Sequence, residues 1–297
     1  MAVDSKRGIV VRAVGGFFFV ACQDTTYRCV IKGTLKKRQE VLVGDRVVLR
    51  PTAPGEGLVV ALEPRTLRLV RPPVANVDKA LVVFAARTPA PSFSLLDRIL
   101  VQVEAAGIRP AMCLNKVDLA AGPDEVEQLL WPYRLAGYAT YAVSSKTGLN
   151  IDTVARELAG AVTVLAGQSG VGKSSLINAV APGLKLATGQ VSERTARGRH
   201  TTRRVELLPL PQGGWVADTP GFSSLELPAV EVDELVYLFP ELGAYAPACR
   251  FPGCRHEEEP DCAVRAAAAL GKVAPSRLAS YREMAQELRE RRRKNRW

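Results

Sequence analysis

Gly167-Gln168-Ser169-Gly170-Val171-Gly172-Lys173-Ser174 is a run of residues whose types and spacing suit one chemistry, the holding of phosphates. The pattern GxxxxGK[ST] sets glycines where successive backbone N–H groups must turn inward around anionic oxygens. A helix starting at the lysine adds the partial positive charge of its N-terminus. Lys173 is then placed to reach the β- and γ-phosphates of a nucleotide. The Ser174 hydroxyl, followed by Ser175, is placed to bind Mg²⁺. The apolar run Val162–Ala166 before this stretch and the helical pattern after it supply the strand–loop–helix context that the chemistry needs. Asp218-Thr219-Pro220-Gly221 follows a second apolar strand, Trp215–Ala217. A carboxylate at a strand end suits the Mg²⁺ shell, and the Gly221 N–H suits the γ-phosphate.

A second group of residues reads the base. Asn115-Lys116-Val117-Asp118 ends the strand pattern Arg109–Leu114 and resembles the NKxD guanine-recognition motif of translation-factor-related GTPases. A carboxylate at Asp118 can accept from both the N1–H and the N2–H₂ of guanine. Adenine offers no such pair of donors, so ATP would leave a polar group unpaired. Ser144-Ser145-Lys146, after the next strand, resembles the accompanying serine-alanine-lysine motif, whose backbone donates to guanine O6 while the Lys116 stem covers one face of the base. The order is unusual. In ordinary GTPases the phosphate loop comes first and the guanine motif late. Here the guanine motifs precede the phosphate loop and Asp218–Gly221 comes last. Circular permutation builds the same site, because chain termini usually lie at the surface. It also sends the segment after Gly221 straight into the C-terminal region, so that movement of the γ-phosphate-sensing loop can pass there directly.

A third cluster is metal-like. Cys249, Cys254, His256 and Cys262 gather within a short stretch. Three thiolates and an imidazole form a closed tetrahedral shell for structural zinc, with no open position for catalysis. Cys22, Cys29 and Cys113 fall in strand patterns and read as core residues.

The elements around these residues divide the 297-residue chain into three parts. Residues 1–70 read as short strands (Ile9–Val14, Phe17–Cys22, Arg28–Ile31, Arg46–Arg50) separated by Gly and Asp turns, a pattern that suggests an oligonucleotide-binding (OB) type β-barrel. Residues 71–228 alternate strands and helices. Ala80–Ala85 and Ala139–Ser144 are further strands and Leu95–Ala106 is a helix, which argues for a doubly wound parallel sheet of the phosphate-loop GTPase kind. Residues 229–297 read as mostly helical, with helices over Glu231–Leu242, Ala263–Leu270 and from Pro275 to the end, carrying the zinc cluster.

Composition narrows the partners. A 47% hydrophobic content allows a full core, and a net charge of +10 favours nucleic acid. Lys32, Lys36, Lys37 and Arg38 lie in the barrel, Arg194, Arg197, Arg199, Arg203 and Arg204 before Asp218, and Arg289 to Arg296 at the end. Basic regions in three domains suit a large structured RNA, although arginines at a helix end also suit that helix's own dipole. No apolar run is long enough to span a bilayer, and the first ten residues carry no signal-peptide core. A cytoplasmic monomer with no membrane partner is expected.

With all these motifs present, the chain is similar to the RsgA (YjeQ/YloQ) family over nearly its whole length. The resemblance implies a permuted GTPase that binds GTP and GDP with Mg²⁺, carries one structural zinc, docks on the small ribosomal subunit and its rRNA, and assists the subunit's late maturation. Subunit-stimulated hydrolysis to GDP and phosphate is implied with it. A GTP-regulated factor for another RNA is the alternative. A phosphate-loop kinase is a third reading, which Asp118 and the lack of an acceptor site oppose. Phe222 stands where many GTPases place a water-orienting glutamine. Gly198-Arg199-His200-Thr201-Thr202 resembles the family's GxHTT motif, so one of Thr201 and Thr202 is expected on Mg²⁺ and His200 on the attacking water. Replacing His200 with alanine is expected to cut GTP turnover by about 10²-fold or more while leaving nucleotide affinity intact; unchanged turnover in a steady-state assay would remove His200 from the chemistry.

Overall fold

The structure, a computed structural model, describes residues 5–36, 40–69, 73–184, 186, 205–218 and 226–294. Its strands are β1 (Lys6–Val14), β2 (Phe17–Cys22), β3 (Thr25–Ile31), β4 (Arg46–Ala53), β5 (Glu56–Leu62), β6 (Arg68–Leu69), β7 (Val74–Ala75), β8 (Lys79–Ala85), β9 (Arg109–Asn115), β10 (Ala139–Ala142), β11 (Val162–Ala166), β12 (Glu206–Pro209) and β13 (Trp215–Asp218). Its helices are α1 (Gly33–Lys36), α2 (Phe93–Ala105), α3 (Pro123–Leu135), α4 (Ile151–Leu158), α5 (Lys173–Val180), α6 (Pro240–Gly243), α7 (Ala263–Ala269) and α8 (Pro275–Lys294). Two compact units emerge. One holds residues 1–79, 155–165 and 193–222, and the other holds 80–154, 166–192 and 223–297.

In the first unit the expected barrel is present, with the order β1-β2-β3-β5-β4 closed by pairing of β1 with β4. The β3–β5 pair is parallel and the remaining pairs are antiparallel. Its core follows strand alternation. Val10, Val20, Tyr27, Cys29, Val47, Leu49 and Val59 point inward, as period-two β-branched and aromatic residues should. Cys22 and Cys29 are buried there as free thiols, and burial pushes the Cys29 thiol up to about 11. The same unit contains β11 parallel to β13, β13 antiparallel to β12, and a bridge from β12 to β1 at Glu206 and Arg12.

The second unit carries β10-β9-β8, with β9 and β10 parallel. Ala80 to Ala85 are all buried, the continuous apolar run of a strand covered on both faces. α2 buries Leu96, Ile99, Leu100 and Val103, one stripe at helical spacing. α5 opens at Lys173 and buries Leu176, Ile177 and Val180.

The C-terminal segment is helical, as expected, with one difference. The continuous helix expected over Glu231–Leu242 is broken. A 3₁₀ turn at Leu235–Leu238 ends at Phe239 (φ −117°, ψ 90°), and α6 restarts at Pro240. Pro240 has no N–H to donate back and forces Phe239 out of the helical region. Val236, Phe239, Leu242, Val264, Tyr281 and Met284 form a core that also takes in Val101 of α2.

At the centre of this packing lies an ion network. Arg277 of α8 is 1% exposed. It donates Nη1 to Asp97 Oδ1 of α2 (2.7 Å) and Nε to Glu241 Oε1 of α6 (2.6 Å). Its guanidinium also lies 4.5 Å from the Phe239 ring centroid. Burial acts to lower the Arg277 pKa, but the two carboxylates outweigh it and hold the group above its ordinary value. Removing the cation leaves two buried carboxylates unpaired. Arg277→Ala is therefore expected to destabilise the unit by about 3–5 kcal/mol, read as a lower midpoint of denaturant unfolding; a midpoint within error of the parent's would contradict the network's role.

Candidate functional site

The phosphate loop is shaped by three glycines with positive φ: Gly167 (128°), Gly170 (82°) and Gly172 (95°). At two of them a side chain has no room. A Cβ on Gly167 would lie 2.0 Å from the Val83 carbonyl oxygen of β8, and one on Gly172 would lie 2.5 Å from Asn115 Nδ2. Only glycine satisfies both the backbone angle and the space. The loop between Gly167 and Gly172, including Gln168, Ser169 and Val171, leads into α5, where Ser174 and Ser175 sit half-buried in the first turn. Lys173 folds back over the loop, donating Nζ to the carbonyls of Gly167 (2.8 Å) and Gln168 (2.7 Å). Burial lowers the pKa of this ammonium. An anionic phosphate in the cradle would oppose that shift.

The guanine motif reaches the same loop. Asn115 ends β9 and is fully buried. Its Nδ2 donates to the Val171 carbonyl (3.0 Å), and its Oδ1 accepts from the Ser145 N–H (3.1 Å). One side chain thus joins the phosphate loop, the base-reading strand end and the serine turn. Lys116 adopts the left-handed conformation (φ 60°) and stretches across the loop, donating Nζ to the carbonyls of Gly170 and Thr88, each at 2.6 Å. Val117 and Asp118 form a 3₁₀ turn, with the Val117 N–H bonded to the Val143 carbonyl. Asp118 is exposed, and its Oδ1 accepts from the buried Ser144 hydroxyl (2.6 Å). Ser144 Oγ itself accepts from the Thr147 N–H (3.1 Å), which fixes the hydroxyl and through it the carboxylate. Lys146 is exposed in the same turn. Asn115, Lys116, Asp118, Ser144, Ser145 and the phosphate loop, far apart in sequence, therefore form one hydrogen-bonded site able to hold a base at one end and phosphates at the other.

Asp218 closes β13, at the strand end expected of it. His200, Thr201, Thr202 and Gly221 lie outside the described residues. Sequence reasoning missed Thr88, whose carbonyl anchors Lys116. A backbone acceptor in a Pro-rich loop leaves no side-chain signature, so no signal marked it. It also passed over Arg277, for which a signal exists: an arginine on the buried stripe of α8 with Leu278, Tyr281, Met284 and Leu288.

The metal cluster is assembled. The ligand atoms of Cys249, Cys254, His256 and Cys262 all lie within 4.8 Å of one another. His256 Nδ1 is 3.3 Å from Cys262 Sγ and 3.5 Å from Cys249 Sγ, and the latter two sulfurs are 3.9 Å apart. A tetrahedral ion with bonds of about 2.1–2.3 Å has edges of about 3.6–3.8 Å, so the donor set fits such an ion. Burial, then the neighbouring thiols, push Cys254 up to about 12, and a bound cation offsets that cost. His256 holds a left-handed backbone (φ 60°), uncommon outside glycine, and Arg282 secures its carbonyl at 2.6 Å. The cluster can hold a metal ion.

The basic tail of α8 is partly used internally. Arg289 pairs with Glu257, Arg291 donates to the Leu227 carbonyl, and Arg292 pairs with Glu231. Among the described residues no helix is long and apolar enough to cross a membrane.

A family model described as RsgA GTPase matches residues 62–228, and one described as RsgA N-terminal domain matches residues 7–59. A protein of Geobacillus thermodenitrificans named small ribosomal subunit biogenesis GTPase RsgA is 46% identical over 96% of this chain and 98% of its own length. One of the same name from Moorella thermoacetica is 44% identical over 93% of this chain and 94% of its own. Among solved structures, YloQ, described as a circularly permuted GTPase, aligns with a TM-score of 0.81 at 37% identity, covering 97% of this chain and 96% of that one. YjeQ from Thermotoga maritima aligns at 0.83 and 35%, covering 96% and 99%.

The Ser144 hydroxyl orients the carboxylate that would read the base. Ser144→Ala is expected to weaken GDP binding about tenfold or more, the worth of a hydrogen bond to a charged group, with ATP still rejected. A fluorescent-nucleotide titration measures this; wild-type affinity in the variant would mean that Asp118 needs no such support.

Proposed function

The chain belongs to the RsgA GTPase family of circularly permuted GTPases, and from that membership we propose that it docks on the small ribosomal subunit during its late maturation, with GTP favouring docking and hydrolysis favouring release. The observation that carries the nucleotide half of this reading is the Asn115 side chain, which joins the base-reading residues to the phosphate loop in one site. In the proposed complex Asp118 accepts from the guanine N1–H and N2–H₂, the backbone near Ser145 faces O6, and the Lys116 stem covers the base. The N–H groups of the phosphate loop and Lys173 hold the β- and γ-phosphates. Mg²⁺, held by Ser174, by one of Thr201 and Thr202, and by Asp218 directly or through water, would offset charge on the leaving phosphate. His200 orients or deprotonates the attacking water, in place of the glutamine that Phe222 replaces.

Three further points complete the proposal. The ion in the Cys249–Cys254–His256–Cys262 cluster is zinc, because three thiolates and one imidazole in a closed shell suit it and leave no catalytic position. The partner is the subunit's rRNA, which the relatives' name and a net charge of +10 both support. The domains run 1–70, 71–228 and 229–297, and the protein works as a cytoplasmic monomer with no membrane partner.

Purified small subunits are expected to raise GTP turnover severalfold, and the chain should co-sediment with them more strongly with a non-hydrolysable GTP analogue than with GDP. Equal rates and nucleotide-independent sedimentation would remove the ribosomal assignment and leave a GTP-regulated factor for another RNA.

A further inference from the structure

Ala86, Arg87 and Thr88 follow β8 and lie along the base-reading segment Asn115–Ala121, and each of the three holds a different point of it. The Ala86 N–H donates to the Asn115 carbonyl at 3.1 Å. The Thr88 carbonyl accepts from Lys116 Nζ at 2.6 Å. Arg87, between them, donates Nη2 to Glu125 Oε2 of α3 at 3.1 Å, and the same carboxylate oxygen accepts the Ala121 N–H at 2.5 Å. The 3₁₀ turn that carries Asp118 is thereby gripped at both ends. Asn115 and Lys116 fix its start. Its closing bonds, from the Leu119 N–H to the Lys116 carbonyl (2.9 Å) and from the Ala120 N–H to the Val117 carbonyl (3.1 Å), run up to Ala121.

Glu125 is the third residue of α3, where a glutamate commonly reaches back to the N–H of the N-cap residue. The N-cap here is Gly122. Glu125 takes instead the N–H one residue earlier, on the side of the base-reading turn. The Ala121 N–H, then Arg87, hold the Glu125 carboxyl below its ordinary value, so the acceptor is charged. An ion pair as exposed as Arg87–Glu125 adds little stability by itself; what it fixes is where the turn ends. We propose that Arg87 and Glu125 are positioning residues for guanine recognition, holding the far end of the turn so that the Asp118 carboxylate meets both donors of the base edge. Hydrogen bonds weaken steeply as their angle departs from linear, and a carboxylate reading two donors must satisfy two angles at once. Inosine diphosphate (IDP) keeps the N1–H of guanine but lacks the N2 amine, so it makes only one of the two bonds and depends less on this placement. The inference rests on the reading above that Asp118 accepts from the base.

The test compares the full-length parent, Glu125→Ala, Arg87→Ala, the double variant and Glu127→Ala, the last changing an exposed glutamate that pairs with Arg134 on the same helix. GDP and IDP affinities are measured by competition against one fluorescent GDP analogue, with Tm recorded for each protein. The parent should prefer GDP to IDP. Glu125→Ala should weaken GDP binding about fivefold, the upper end for an exposed charged contact, and IDP binding less, so that the preference narrows. Arg87→Ala should narrow it in the same direction and add nothing once Glu125 is replaced, since Arg87 acts through that carboxylate. Glu127→Ala should match the parent. An unchanged preference in Glu125→Ala overturns the proposal even if affinity or Tm falls, because a merely structural loss weakens both nucleotides alike. Additive losses in the double variant, or equal narrowing in Glu127→Ala, overturn it as well. Equal binding of GDP and IDP by the parent itself would overturn the reading of Asp118 and this inference with it, a result distinguishable from the others.

Discussion

The Asn115 side chain is the contact on which the nucleotide site depends. It is fully buried at the end of β9, and its two polar atoms face in different directions, one to the Val171 carbonyl and one to the Ser145 N–H. A buried amide of this kind must be satisfied, and among the described residues the groups that satisfy it belong to the two other parts of the site. The strand end, the phosphate loop and the serine turn are therefore set relative to one another before any ligand arrives. Gly172 is constrained by the same atom, since a side chain there would strike Asn115 Nδ2. Lys116 and Ser144 extend the frame, one along the loop and one to the base-reading carboxylate.

Permutation leaves the site itself intact. The cradle and the guanine motif meet through hydrogen bonds, which are indifferent to the order in which the chain supplies them. Leu227 and Val101 are buried together in a core built from α2, α6, α7 and α8. Arg277 fixes that core by pairing with carboxylates on two other helices. A buried ion network of this type is weak evidence for net stability, but breaking it is costly, so it holds the helices in one arrangement.

Charge offers a second example of position deciding meaning. The arginines at the end of α8 look in sequence like an arm for phosphates. In the folded chain Arg289, Arg291 and Arg292 contact Glu257, the Leu227 carbonyl and Glu231. Exposed pairs of this sort are individually weak, so they leave the helix basic while giving its arginines work inside the molecule.

By itself the sequence determined the parts that local chemistry dictates. The phosphate loop shows as glycines that must take positive φ, the barrel as alternating β-branched strands, the metal cluster as four close ligands and the guanine motif as a carboxylate at a strand end. Each follows from residue type at short range, where backbone sterics and ligand preference act without reference to the rest of the chain. The break at Pro240 is not among them: the helix expected over Glu231–Leu242 runs through it, and proline by itself does not decide the point, since Pro132 lies inside α3. Tertiary structure decided the contacts whose acceptors are backbone carbonyls or distant side chains: Lys116 on Thr88, Arg277 between Asp97 and Glu241, Gln102 and Arg291 on Glu226 and Leu227. A carbonyl is present at every residue and carries no identity. Which one a donor finds is set only when hydrophobic packing has brought the helices together.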